Sequence, residues 1–212
     1  MTRQTALRGR GLHFSFDRSE VLHDVDVDLP WGAVTAIAGP NGAGKSTLVE
    51  ILAGVRRPLR GTVDCADEVA LVVQRPTAPD SLPLTVREVV AMGTWSTRTP
   101  RRERPGRTAR QSRVDESLRR VDLADLASRP FSTLSGGQRQ RALLAQGLAR
   151  RATVFLLDEP AAGLDAASRA RARRVLAEVA RDGAAVACVT HDDASIAEAD
   201  LVIRLEGGRR VG

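Results

Sequence analysis

Tyrosine does not occur in the 212 residues, and aromatic side chains of every kind account for 3% of them. Proteins that hold single-stranded nucleic acid place aromatic platforms between cations so that bases can stack. No such interleaving is found here. That bears on the net charge of +6. A basic balance can be a nucleic-acid footprint or a solvated surface turned toward a partner or anionic lipid. The missing platforms favour the second, and no nucleic-acid partner is expected. Cysteine occurs twice, at Cys65 and Cys188, too few for a disulfide framework, which points to a reducing compartment. The opening MTRQTALRGRGL lacks the apolar core of a signal peptide. No stretch approaches the roughly 18 consecutive apolar residues of a membrane span. Lysine is almost missing too: of 32 Lys and Arg residues only Lys45 is lysine.

What is present is ordinary for a globular chain, with 42% hydrophobic and 27% charged residues, enough to bury a sizeable core. Residues 12–16 and 21–29 alternate apolar and polar, as half-buried strands do. The run at 33–39 is continuously apolar and ends in glycine, which suits a strand buried on both faces, and 154–158 and 184–192 are read as further buried strands. Further strands are expected at 68–74 and 200–208. Helices are expected from Gly44 to about Ala53, over 84–93, over 112–123, after Ser135 and over 167–182. Residues 97–113 carry seven Arg and read as an exposed connector. Alternating strands and helices give an α/β fold with a mainly parallel sheet.

The stretch from Gly39 through Pro40, Asn41, Gly42, Ala43 and Gly44 to Lys45 and Ser46 fits the phosphate-loop pattern, between a buried strand and a helix. Its glycines let backbone N–H groups close round a phosphate. Lysine reaches the β- and γ-phosphates as a compact point charge, for which the wide planar arginine fork is a poor substitute. This accounts for the single lysine. Ser46 carries a hydroxyl suited to Mg²⁺. In VFLLDEP, Asp158 at a strand end can hold Mg²⁺ through water, and Glu159 can act as general base on water. LSGGQRQR at 134–141 opens a second anion-binding helix end. One phosphate loop needs no second such end on the same nucleotide, so Ser135, Gly136 and Gly137 are expected to cap the γ-phosphate of ATP held by another copy.

With GPNGAGKST, LSGGQ and the DE pair together, the chain resembles the ATP-binding subunit of ATP-binding-cassette transporters from Leu12 to Gly208. The resemblance implies a P-loop NTPase core with an antiparallel β subdomain near the N-terminus and an inserted helical subdomain. It implies one ATPase domain over 1–212, with the core in 1–83 and 134–212 and helices in about 84–133. It implies ATP and Mg²⁺ as cofactors, and Glu159, His191 and Lys45 as catalytic residues. Phe16 would stack on adenine where the family usually has Tyr. The phosphate loop through Thr47, the signature Ser135, Gly136, Gly137 and Gln138, and Asp165 of the D-loop would contact ATP. Ser46, Gln74 and Asp158 would serve Mg²⁺, although Val73 stands where relatives often have Pro.

The implied partners are a second copy, head to tail on ATP binding, integral membrane permease subunits and an extracytoplasmic solute-binding protein. The implied place is the cytoplasmic face of the membrane, as a peripheral subunit. Trp95 is a candidate for the permease-docking surface. No regulatory C-terminal domain is expected after the last strand. DSLPLTVREVVAMG resembles the matching stretch of metal importers, so the expected cargo is a divalent metal such as zinc or manganese, with siderophore or haem as the alternative. A soluble relative acting on nucleic acid would carry two cassettes or a long coiled-coil insertion. A phosphate-loop kinase or GTPase would lack LSGGQ.

Overall fold

The fold is a computed structural model that describes residues 4–17, 19–72, 83–95, 106–160 and 164–211. In chain order the elements are β1 (Thr5–Phe16), β2 (Ser19–Pro30), β3 (Ala33–Ala38), α1 (Lys45–Leu52), β4 (Arg60–Cys65), β5 (Val69–Val72), α2 (Val86–Met92), α3 (Arg107–Arg120), α4 (Gly136–Ala149), β6 (Val154–Asp158), α5 (Ala166–Arg181), β7 (Ala185–Val189), α6 (Asp193–Ala197), β8 (Leu201–Glu206) and β9 (Arg209–Arg210). Chain contacts divide them into two compact units.

The first unit takes its residues from 1–73, 153–160 and 176–212. Its described residues form a three-stranded antiparallel sheet, β2-β1-β4, and a six-stranded sheet, β5-β6-β7-β3-β8-β9. In the larger sheet β5, β6, β7, β3 and β8 run parallel, and β9 turns back along β8. β7 (AVACV) is buried at every residue and β6 (VFLLD) at all but its last. The apolar runs therefore become the central strands, covered on both faces. α1 buries Leu48, Val49, Ile51 and Leu52 in one core with Leu12, Leu22 and Val27 of the small sheet and Ile37, Leu156 and Val189 of the large one.

β1 begins at Thr5 rather than near Leu12. Gly9 and Gly11 look like strand breakers in the sequence. Here they fall where the pairing of β1 with β2 slips register, between Gly9 and Leu12, so they mark bulges inside a longer strand. β4 pairs with β1 through Arg8↔Asp64 and Arg10↔Thr62. Its residues RGTVDC are exposed or half-buried, so no hydrophobic alternation announces it.

The second unit takes its residues from 74–152 and 161–175. α2 starts in a capping box: Glu88 N donates to Thr85 Oγ1 at 3.3 Å, and Thr85 N donates to Glu88 Oε2 at 2.8 Å. α3 starts at Arg107, so 107–113 belong to a helix and not to a connector. Val114, Ser117 and Leu118 form its buried stripe, and ahead of them the half-buried Arg110 and Arg113 continue that face in place of apolar residues while remaining good helix formers. α4 packs on both α2 and α3. Gln146 Nε2 donates to Val89 O at 3.0 Å, and Arg141 Nη1 donates to Val121 O at 2.7 Å.

Candidate functional site

In the first unit the sheet order β6-β7-β3 sets three carboxyl ends side by side, the usual position of a ligand crevice in an open α/β sheet. Asp158 ends β6, Thr190 and His191 follow β7, and the phosphate loop follows β3. Gly39 and Gly44 have φ of 146° and 92°. A Cβ on Gly39 would lie 2.1 Å from Leu205 O, and one on Gly44 would lie 2.9 Å from Val21 O. Neither position accepts a side chain. α1 has no side-chain cap and no acidic residue in its first turn, so its leading N–H groups and dipole face whatever anion enters the loop. Lys45 is 6% exposed, and its Nζ donates to Gly39 O at 2.9 Å and Pro40 O at 2.8 Å. The ammonium is thus held at the mouth of the loop by the loop's own carbonyls.

Ser46 Oγ donates to Asp158 Oδ1 at 3.0 Å. Burial pushes the Asp158 carboxyl above its usual range. The charges of Glu159 and Glu50 add to that, against the Ser46 hydrogen bond and the Lys45 charge. A half-buried carboxylate beside a hydroxyl oxygen is a hard-oxygen pair in which a divalent cation would relieve the crowded negative charge. These residues therefore fit Mg²⁺. Glu159 lies in the left-handed region at φ 47°, where a non-glycine residue is strained. Its N–H donates to Val189 O at 3.2 Å. The turned backbone brings Glu159 Oε1 to 3.7 Å from His191 Nδ1, and the His191 side chain is 69% exposed. A carboxylate and an imidazole thus meet at the crevice edge. Cys188, three residues before His191, is buried in β7, which pushes its thiol up to about 12.

Phe16 closes β1 and is 43% exposed, as a stacking platform requires. Gln74 lies outside the described residues.

In the second unit Ser135 caps α4. Gln138 N donates to Ser135 Oγ at 3.3 Å, and Ser135 N donates to Gln138 Oε1 at 3.0 Å. This capping box uses the Gln138 side chain within the helix start. The N–H groups of Gly136 and Gly137 precede any intrahelical acceptor, and Ser135 and Gly136 are exposed. A Cβ on Gly137 would lie 2.7 Å from Ser168 Oγ, so only glycine lets α5 approach there. Asp165 caps α5: Ser168 N donates to its Oδ1 at 2.8 Å and Ser168 Oγ to its Oδ2 at 3.1 Å. Those bonds hold the Asp165 carboxyl below its usual range.

The sequence profile of the family described as ABC transporter matches residues 22–162. The hemin import ATP-binding protein HmuV of Streptomyces coelicolor is 41% identical over 94% of this chain and 74% of its own length. The chain belongs to the ABC transporter family. It is an ATP-binding subunit that hydrolyses ATP to power transport. The manganese transport ATP-binding protein MntB of Listeria monocytogenes is 35% identical over 86% of this chain and 79% of its own. An inward-facing ABC transporter described as metal-chelate type superposes with a TM-score of 0.87 at 30% identity, over 98% of this chain and 82% of that one. Among the described residues of this ABC subunit, no helix is long and apolar enough to cross a membrane.

Some residues that contact the candidate site residues carried no signal in the sequence. Arg139 Nε donates to Leu134 O at 3.2 Å, tying down the loop before α4. Ser168 meets Gly137 only because α5 packs there. Arg56 lies over Phe16. Each depends on contacts between separate elements, which a motif does not record.

Proposed function

We propose that two copies of this subunit face each other head to tail and clasp two ATP molecules. What carries this is the pair of open helix starts on separate units: α1 with Lys45 at its mouth, and α4 with Ser135 and Gly136 exposed to meet an anion, while Gly137 is buried against Ser168. In each clasp the loop from Gly39 to Thr47 wraps the phosphates of one ATP, and Lys45 exchanges its loop carbonyls for β- and γ-oxygens. The partner's α4 start meets the same γ-phosphate. Phe16 stacks on adenine, and Asp165 lines the interface.

Ser46, Asp158 and Gln74 would hold Mg²⁺, which would screen the phosphate charge. Glu159 takes a proton from water as the water oxygen attacks the γ-phosphorus and the bond to ADP breaks. His191, beside Glu159, orients the γ-phosphate and the carboxylate. Loss of that phosphate removes the link between the copies and reopens them. Lys45, Glu159 and His191 are thus the catalytic set. The chain acts as a single ATPase domain, with about 84–133 as the helical subdomain.

Closure and opening drive membrane permease subunits, with this chain peripheral at the cytoplasmic face and a solute-binding protein delivering cargo outside. Trp95, 67% exposed after α2, belongs to the permease-facing surface. The cargo reading follows the relatives. Hemin import in the 41% identical protein and the metal-chelate transporter neighbour favour haem or a related metal chelate. The MntB likeness favours manganese as the second reading, and no relative named above favours zinc. Vesicles carrying this subunit and its permease test the cargo. The expected result is ATP turnover stimulated several-fold by haem-loaded binding protein and not by the manganese-loaded one; the reverse order establishes the second reading.

A further inference from the structure

Phe16 sits at the last position of β1, pairs with Ser19 across the hairpin, and is followed by Asp17 at φ 51°. A phenylalanine has no hydroxyl to fix its ring by a hydrogen bond. A ring at an exposed hairpin end therefore needs another anchor. Two contacts supply it. Phe14 meets Phe16 edge to face, with centroids 5.0 Å apart at 80°. The Arg56 guanidinium lies 4.8 Å from the Phe16 centroid and 5.7 Å from that of Phe14. Arg56 is itself held: its Nε donates to the Glu50 carboxylate, and its backbone N–H donates to Glu50 O at 3.2 Å. Glu50 belongs to α1, the helix that opens with Lys45 and Ser46.

We propose that Arg56 is a positioning residue for the adenine platform: anchored by Glu50, its guanidinium backs one face of Phe16 and leaves the other to the base. This rests on the reading of Phe16 as the adenine platform. A cation over an aromatic face is attracted to the ring quadrupole. It draws π density toward itself and makes the far face a better partner for an electron-rich purine. One helix then carries both the phosphate grip and, through Glu50 and Arg56, the orientation of the base platform. A triphosphate without a base uses only the first.

The test measures equilibrium binding of ATP and of magnesium tripolyphosphate to the full chain and four variants. Arg56→Met is expected to weaken ATP binding about two- to tenfold, with tripolyphosphate binding unchanged. Arg56→Lys, which keeps a cation, is expected to recover part of the loss. Phe16→Leu is expected to weaken ATP binding, and adding Arg56→Met to it to cost little more, since both act through one platform. Equal loss of tripolyphosphate binding in Arg56→Met overturns the proposal, because a merely structural role lowers both. So does full ATP affinity in Arg56→Met while Phe16→Leu is impaired. Full ATP affinity in Phe16→Leu overturns the platform reading itself, and this proposal with it.

Discussion

Asp158, proposed above to serve Mg²⁺, opposes the stability of its own fold. Its carboxyl is held above the usual range, chiefly by burial and further by Glu159 and Glu50. A carboxyl whose pKa is higher in the folded than in the unfolded chain binds protons more tightly when folded. Stability is then lost as pH rises through its titration range. Above that range the buried charge is a standing cost. Asp158→Asn keeps an acceptor for Ser46 Oγ and removes the charge. Its melting temperature without nucleotide is expected to exceed that of the parent at pH 7, by about 2–4 °C per kcal/mol relieved. The gap is expected to close on acidification, as Asp158 itself becomes neutral. ATP turnover is expected to fall to near background, and thermal scans from pH 4 to 8 alongside an ATPase assay check both. A lower melting temperature at pH 7 would show that the Ser46 pairing outweighs the burial of charge.

At the scale of elements, packing rather than motif decides the tolerance of the α4 start. Gly136→Ala would place a Cβ 3.9 Å from Leu164 Cδ2, an ordinary contact, whereas Gly137→Ala would press 2.7 Å from Ser168 Oγ and 2.9 Å from Ser168 Cβ. Gly137→Ala is expected to destabilise the chain by about 1–3 kcal/mol and Gly136→Ala by much less, as read by denaturant unfolding; equal costs would contradict the α4–α5 contact. The same scale shows what the sequence discloses. β3, β6 and β7 are legible because burial on both faces imposes an unbroken apolar run. The local geometry at the phosphate loop, the DE pair and LSGGQ is legible because each is a short backbone motif: glycines at positive φ, a strand end and a capping box. The first half of β1 is hidden by glycines that turn out to be bulges. β4 is hidden because it buries little, and the start of α3 is hidden because half-buried arginines stand there where an apolar stripe would show. The Glu50–Arg56–Phe16 chain is hidden because it arises where the end of α1 meets the tip of β1.

For the whole molecule, the residues proposed for the ATPase chemistry fall in two units. Lys45, Ser46, Asp158, Glu159 and His191 belong to the first, and Ser135, Gly136 and Gly137 to the second. The family and its ATP hydrolysis follow from the profile match and the relatives. The proposal that one copy completes the other's nucleotide site follows from the open amides at the exposed start of α4. The most direct measurement is light scattering of Glu159→Gln, which lacks the carboxylate proposed to activate water, with and without magnesium and ATP. The account predicts a monomer without nucleotide and a doubled mass with ATP, and a monomer under both conditions when Ser135→Arg is added to block the α4 start. A Glu159→Gln chain that binds ATP and stays monomeric, or a Ser135→Arg chain that still doubles, would contradict it.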